Sequence, residues 1–299
     1  MTRLLVLAIV IGLVLPDVAR FLRPLLYPSL FAIMLFTLIQ IDISQIVKTF
    51  GRDTLRIVLL CGIQMVVLPV LLGLIFRSVS PDPMYAVPVI LVTAAGGMFG
   101  TPSIAVLLGL PGRFTLFGVL VSTALLPFSL PLVWIAYSGE PLQMDVAVYG
   151  YRLILYIGVP ALLAWIYRRL IRAGFNLPAA ESMKVGAVTG LVIFAIAIMD
   201  GVTDRFLIDP ALVIGLTLLA FVLHFGLFGL TWLLSRSFGR GVWMEAALLS
   251  AFRNIGLIIA ISGPYLPQDF FLFAGVWQIP MYLSPWLIHR FLRYYVQHY

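Results

Sequence analysis

Residues 84–109 read MYAVPVILVTAAGGMFGTPSIAVLLG, and the fold turns on how that stretch is understood. It carries no charged side chain, and it is long enough to cross a bilayer, which takes about 20 apolar residues as a helix. Yet its centre, Thr93-Ala94-Ala95-Gly96-Gly97-Met98-Phe99-Gly100-Thr101-Pro102-Ser103, works against a continuous helix. Pro102 lacks a backbone donor and collides with the preceding turn. Glycines at 96, 97 and 100 lower the cost of unwinding. Unwound backbone is too costly against lipid, so it has to face protein or a wet cavity. There, carbonyls and helix ends can bind ions. A kinked helix packed through small residues is the plainer alternative.

The rest of the chain supports a membrane setting. Of 299 residues, 62% are hydrophobic and 10% charged, where a soluble domain is typically near a quarter charged. The net charge of +7 fits basic cytoplasmic loops better than a nucleic-acid surface. The single cysteine, Cys61, excludes an internal disulfide and any cysteine cluster, and its apolar neighbours make it a small buried hydrophobe. The first apolar segment ends Leu15-Pro16-Asp17 with no small-residue cleavage site, so it reads as a retained span.

Ten candidate spans follow: roughly 3–16, 25–41, 54–77, 84–109, 114–138, 147–169, 184–203, 210–235, 242–262 and 269–292. With the N-terminus inside, thirteen of the nineteen Lys and Arg fall on inner segments and five on outer ones. That asymmetry favours both termini in the cytoplasm and an even number of spans. The remaining cation, Arg253, lies inside the ninth span. The sequence thus predicts an all-α polytopic membrane protein, one membrane domain made of two inverted five-span repeats, 1–142 and 143–299. Phe117-Gly118-Val119 with Pro127 and Pro131 in the fifth span is echoed by Phe273-Ala274-Gly275-Val276 with Pro280 and Pro285 in the tenth. Inverted repeats of this kind are characteristic of secondary transporters.

The ninth span matches the fourth in its half. It reads Glu245-Ala246-Ala247-Leu248-Leu249-Ser250-Ala251-Phe252-Arg253-Asn254-Ile255-Gly256. An arginine at that depth is costly and has to face the protein interior. Arg253 and Asn254, with Gly256 beside them to ease unwinding, therefore mark a second candidate break, a structural arginine paired with a carboxylate being the plainer alternative, while Glu245 is expected near the cytoplasmic end, at the interface.

At these residues the chain resembles the bile acid:sodium symporter family, and the likeness covers nearly all of it. Gln64 and Pro69 match that family's third-span pattern, and Ser122, Thr123 and Pro127 its fifth. Gly96 and Gly97 match the double glycine of its fourth-span motif, and Asn254 the end of its ninth. The resemblance implies ten spans with crossed, broken helices in spans four and nine. It also implies a core bundle, spans three to five and eight to ten, that rocks against a panel of spans one, two, six and seven. Where the family places a Glu and a Gln that help to bind sodium, this chain has Leu249 and Arg253. A guanidinium has five donors and no acceptor, so it repels sodium instead of ligating it. Sodium coupling is therefore not expected. Arg253 is read as a permanent stand-in for a coupling cation, attracting an anionic substrate. Gln64, Gly96, Gly97, Thr101, Ser103, Thr123, Asn254 and Gln278 are the candidate lining of the same cavity.

The expected function is transport of a small organic anion across the bacterial inner membrane by alternating access, with no cofactor and no nucleic-acid partner. Uniport or proton coupling is preferred. A related carrier of other cargo, such as an auxin-efflux-like permease or an arsenite exporter, is the nearest rival. Cys61 lies in the third span, away from the breaks, which weakens the arsenite reading. An intramembrane metalloenzyme would need clustered His and acids within spans. A non-transporting receptor would need no breaks. No nucleotide-binding loop is present, which sets ATP drive aside. His224, among Phe221, Phe225 and Phe228, reads as a packed residue, and Asp42 and Asp200 as solvated span ends.

Overall fold

A computed structural model describes residues 2–41, 52–140, 145–179, 182–238 and 242–298. Twelve helical segments run through them: α1 (Thr2–Val14), α2 (Pro16–Gln40) and α3 (Thr54–Val79), α4 (Pro83–Ala94), α5 (Thr101–Leu107) and α6 (Arg113–Ser138). The second half supplies α7 (Val146–Arg172), α8 (Met183–Ile208) and α9 (Pro210–Leu234), α10 (Val242–Ala251), α11 (Ile255–Ser262) and α12 (Gln268–His298). Seven of the described helices are long and apolar enough to cross a membrane: α2, α3, α6, α7, α8, α9 and α12. Helix α4 has 12 residues, about 18 Å of rise, and falls short of the roughly 30 Å core by itself.

Local chemistry explains most of the boundaries. Residues 17–24 fall between the first two candidate spans, yet they are helical and belong to α2. Pro16 stands at the first helical position with Asp17 in the first turn, and both favour a helix start. Helices α3 and α7 each contain one wide turn, at Ile63–Val67 and Ile154–Gly158. Pro69 and Pro160 follow these turns, and neither has an N–H to give to the carbonyl four residues back. The amides of Leu68 and Val159 reach instead five residues back, to Ile63 and Ile154.

The chain folds as two compact units, and each draws on both halves of the sequence. The first comprises residues 1–42, 144–213 and 256–278. In it α8 lies along α2 through small residues: a Cβ on Gly190 would stand 3.0 Å from Ile33 and 3.3 Å from the Ser29 carbonyl. Asp200, expected to be solvated, is instead ion-paired with Arg23 at 2.6 Å, and Arg20 bonds Asp204 at 2.9 Å. Asp42 lies outside the described residues. Residues 256–278 group with this unit, whereas the sequence reading kept all of spans nine and ten in the core bundle. Three contacts account for the difference. Arg152 donates to the Ala260 carbonyl at 2.6 Å, Tyr27 abuts Gly263, and Gly275 lies against the Ile198 carbonyl.

The second unit comprises residues 43–143, 214–255 and 279–299. Its α3 runs along α6 closely enough that a Cβ on Gly73 would stand 3.1 Å from the Tyr137 amide. It also contains α4, α5, most of α9 and α10, and with them both helix interruptions.

A candidate site where two interrupted helices pair

Between α4 and α5 the chain is unwound from Ala95 to Gly100, and between α10 and α11 from Phe252 to Asn254. Each interruption releases backbone groups that a helix would have satisfied. In an apolar surrounding every such group costs several kcal/mol if left alone. Here the two interruptions satisfy each other. The Met98 amide donates to the Phe252 carbonyl at 2.7 Å, and the Asn254 amide to the Gly96 carbonyl at 2.8 Å. Gly97 and Arg253 thus face each other as an antiparallel bridge. The Gly97 amide turns the other way and donates to Ser122 Oγ on α6, at 3.0 Å.

Space is tight at the glycines. A Cβ on Gly96 would lie 3.0 Å from Ser122 Oγ, and one on Gly97 would collide with Leu249. A Cβ on Gly118 of α6 would strike the same leucine. Leu249 is 1% exposed and fills the gap that these two glycines leave. An apolar wedge therefore occupies the position where the resemblance implies a sodium-binding carboxylate.

Arg253 is 2% exposed. Its Nη1 donates to the Ala95 carbonyl at 2.8 Å. Ala95 caps the C-terminus of α4, where the helix dipole and open carbonyls favour a cation. Its Nη2 makes a longer bond, 3.4 Å, to Gln64 Oε1. Among the described residues Arg253 has no ion pair, and its Nε–H has no partner. The positive charge is thus held by neutral dipoles. Gln64, set in the wide turn of α3, passes the contact onward: its Nε2 donates to Thr231 Oγ1 at 3.1 Å, and that hydroxyl to Ser250 Oγ at 2.8 Å.

The sequence candidates are distributed unevenly about this crossing. Gln64, Gly96, Gly97, Arg253 and the Asn254 backbone meet in it. Thr101 is buried beside it, at the start of α5, and its hydroxyl has no partner among the described residues. Thr123 is buried but donates to the Val119 carbonyl of its own helix at 2.8 Å. Ser103 is exposed on α5. Gln278 belongs to the first unit, and its amide bonds the Ala274 carbonyl of its own helix at 3.1 Å. Thr231, Ser250 and the carbonyls of Ala95 and Gly96 were missed. A hydroxyl in an otherwise apolar span was a usable signal for the first two; backbone carbonyls offer none.

Three further residues complete the surroundings. Cys61 is buried and directs its thiol at the Gly118 carbonyl, 3.6 Å away. His224 packs edge-on against Phe225 and Phe252, with ring centroids 5.2 Å apart in each pair. Glu245, expected at the interface, is instead buried at 2% exposure, because the first turn of α6 covers it.

By composition and fold this is a polytopic helical membrane protein. No protein-family model and no curated protein matches the chain.

Proposed function

We propose that the chain is a secondary transporter that carries a small organic anion across the bacterial inner membrane by alternating access, without sodium coupling. In this reading α4 with α5, and α10 with α11, are the two halves of interrupted spans four and nine. The ten spans then form two inverted five-span repeats, with both termini cytoplasmic. The observation that carries the reading is a buried guanidinium with no counter-charge among the described residues, held where two interrupted helices pair. In secondary transporters, the carbonyl ends of half-helices hold coupling cations and their N-termini face anions. Here Arg253 occupies the carbonyl end of α4, where a mobile cation would otherwise bind, and Leu249 fills the space beside it. The charge that sodium would bring and remove is therefore built in. A receptor without transport gives no reason to interrupt two helices at one level.

The test is thermal melting of purified protein against a panel of small carboxylates, and separately with and without sodium at matched ionic strength. A ligand at a hundred times its Kd stabilises the native state by about 2.7 kcal/mol. The expected result is at least one carboxylate that raises the Tm of the wild type and not of Arg253→Gln, with no shift from sodium in either protein. A clear sodium shift in the wild type would sink the surrogate role of Arg253.

A further inference from the structure

Arg152 is a second cation set into a span, and the crossing makes no use of it. It belongs to the first unit, as do its partners. It lies six residues beyond Val146, the start of α7, about 9 Å of rise, so it stands near one end of that span. Its Nη1 donates to the Ala260 carbonyl at 2.6 Å. Ala260 is in the last turn of α11, where open carbonyls and the helix dipole favour a cation. Its Cζ stands 5.0 Å from the centre of the Tyr27 ring of α2. Tyr27 is fixed in turn. Its hydroxyl abuts Gly263, and its ring centre is 6.4 Å from that of Tyr156, one turn beyond Arg152 and within the wide turn of α7. The construction repeats that of Arg253: an arginine on the C-terminal carbonyl of a shorter helix, beside a side chain from a wide turn.

What differs is exposure. Arg253 is buried, whereas Arg152 is half-buried. A guanidinium has five N–H donors, and among the described residues one hydrogen bond and no carboxylate engage this one. The acids of α2, α7 and α8 are occupied elsewhere. Asp145 caps its own helix at the Ala147 and Val148 amides, and Asp17, Asp200 and Asp204 pair with Arg20 and Arg23. Around Arg152, α7 turns apolar surface outward: Val148, one turn before it, and Tyr151, next to it, are both exposed. Of the seven described candidate spans, α7 has the smallest share of its apolar window buried, 17%. In a bilayer such a surface faces acyl chains. An uncompensated, forked cation at its edge suits a ligand that carries negative charge on an apolar body.

We propose that Arg152, with Tyr27 and Tyr156, binds the phosphate of an anionic phospholipid whose acyl chains lie along α7. The free edge of the guanidinium matches two phosphate oxygens with parallel N–H groups. The tyrosines, apolar in body and polar at the tip, suit the level where headgroups meet hydrocarbon. The phosphate supplies the counter-charge that the protein withholds. A zwitterionic headgroup brings its own ammonium beside the guanidinium, so a net-negative lipid such as phosphatidylglycerol is preferred to phosphatidylcholine. Because Arg152 touches both Tyr27 and Ala260, the bound lipid also steadies the junction of α2, α7 and α11. The proposal rests on the membrane setting and not on the transporter reading.

The experiment is native mass spectrometry and thermal melting of purified full-length protein in detergent, with phosphatidylglycerol, phosphatidylcholine and soluble glycerol phosphate as probes. The wild type is expected to retain phosphatidylglycerol in preference to phosphatidylcholine and to melt higher with it, glycerol phosphate having no effect. Arg152→Gln should bind phosphatidylglycerol on the order of tenfold more weakly and retain one lipid fewer. Arg152→Lys, which keeps the charge without the fork, should fall between the two, and it serves if the glutamine variant does not fold. Arg169→Gln is the control, since that arginine stacks on Trp165 at the other end of α7; its loss should be smaller. A wild type without the preference, undiminished binding in Arg152→Gln, full binding in Arg152→Lys, or an equal loss in Arg169→Gln overturns the proposal. So does stabilisation by glycerol phosphate that matches phosphatidylglycerol, which would make this a site for soluble anions.

Discussion

Arg253 does two things that substitution can separate. Its planar fork spans two acceptors, the Ala95 carbonyl and Gln64 Oε1, and its charge sets the potential at the crossing. Lysine keeps the charge but is a single point that cannot reproduce the fork. One buried acceptor is then left unmatched, at a cost of about 1–3 kcal/mol. Arg253→Lys is therefore expected to melt lower than the wild type while keeping part of its carboxylate-dependent stabilisation. Arg253→Gln should lose that stabilisation entirely, whatever its own Tm. Equal loss in both variants would mean that the fork, and not the charge, recognises the anion. The residue type and depth of Arg253 were legible in the sequence. Its acceptor Ala95 was not, because any residue can present a carbonyl.

At the scale of elements, the meeting of α4, α6 and α10 depends on Gly97, Gly118 and Leu249 fitting together. Gly118→Ala should overpack the contact and cost about 1–3 kcal/mol. Leu249→Ala should open a void and cost about 2–5 kcal/mol. If the leucine fills the space over the glycine, the two changes compensate. The double variant Gly118→Ala/Leu249→Ala should then lose less than the sum of the singles, with a coupling of about 0.5–3 kcal/mol by thermal melts. Strict additivity would show that Leu249 is not wedged there. The turn into α6 has a similar economy. Gly112 has a φ of 73°, a left-handed conformation that most side chains resist. The amide of Thr115, in the first turn beyond it, is met by Glu245 from another helix instead of by a local cap.

For the whole molecule, topology is the open quantity that labelling can read. The native thiol is buried, so a Cys61→Ser background permits single-cysteine reporters. If ten spans start from a cytoplasmic N-terminus, Glu140→Cys faces outward and Asn176→Cys inward. Both positions are exposed. A membrane-impermeant maleimide should label the first in intact cells and the second only after permeabilisation. The opposite pattern would reverse the orientation, and labelling of both from one side would refute the ten-span count.

The sequence by itself determined where most of the helices form and where two of them are interrupted. Composition set the apolar runs, and Gly96, Gly97, Gly100 and Pro102 marked the first interruption, as Arg253 and Asn254 marked the second. These are local properties: a missing donor, a missing Cβ or a charge at depth acts within its own turn. Only the tertiary structure decided which groups answer each other. The pairing of Gly96 with Asn254, the carbonyl beneath Arg253, the relay from Gln64 to Ser250, the burial of Glu245 under α6 and the salt bridge of Asp200 all join segments far apart in the chain. They follow from how buried polar groups find partners in three dimensions. Spacing along the chain carries no record of that choice, since each partner is a backbone atom or a common side chain whose role exists only once the helices have packed.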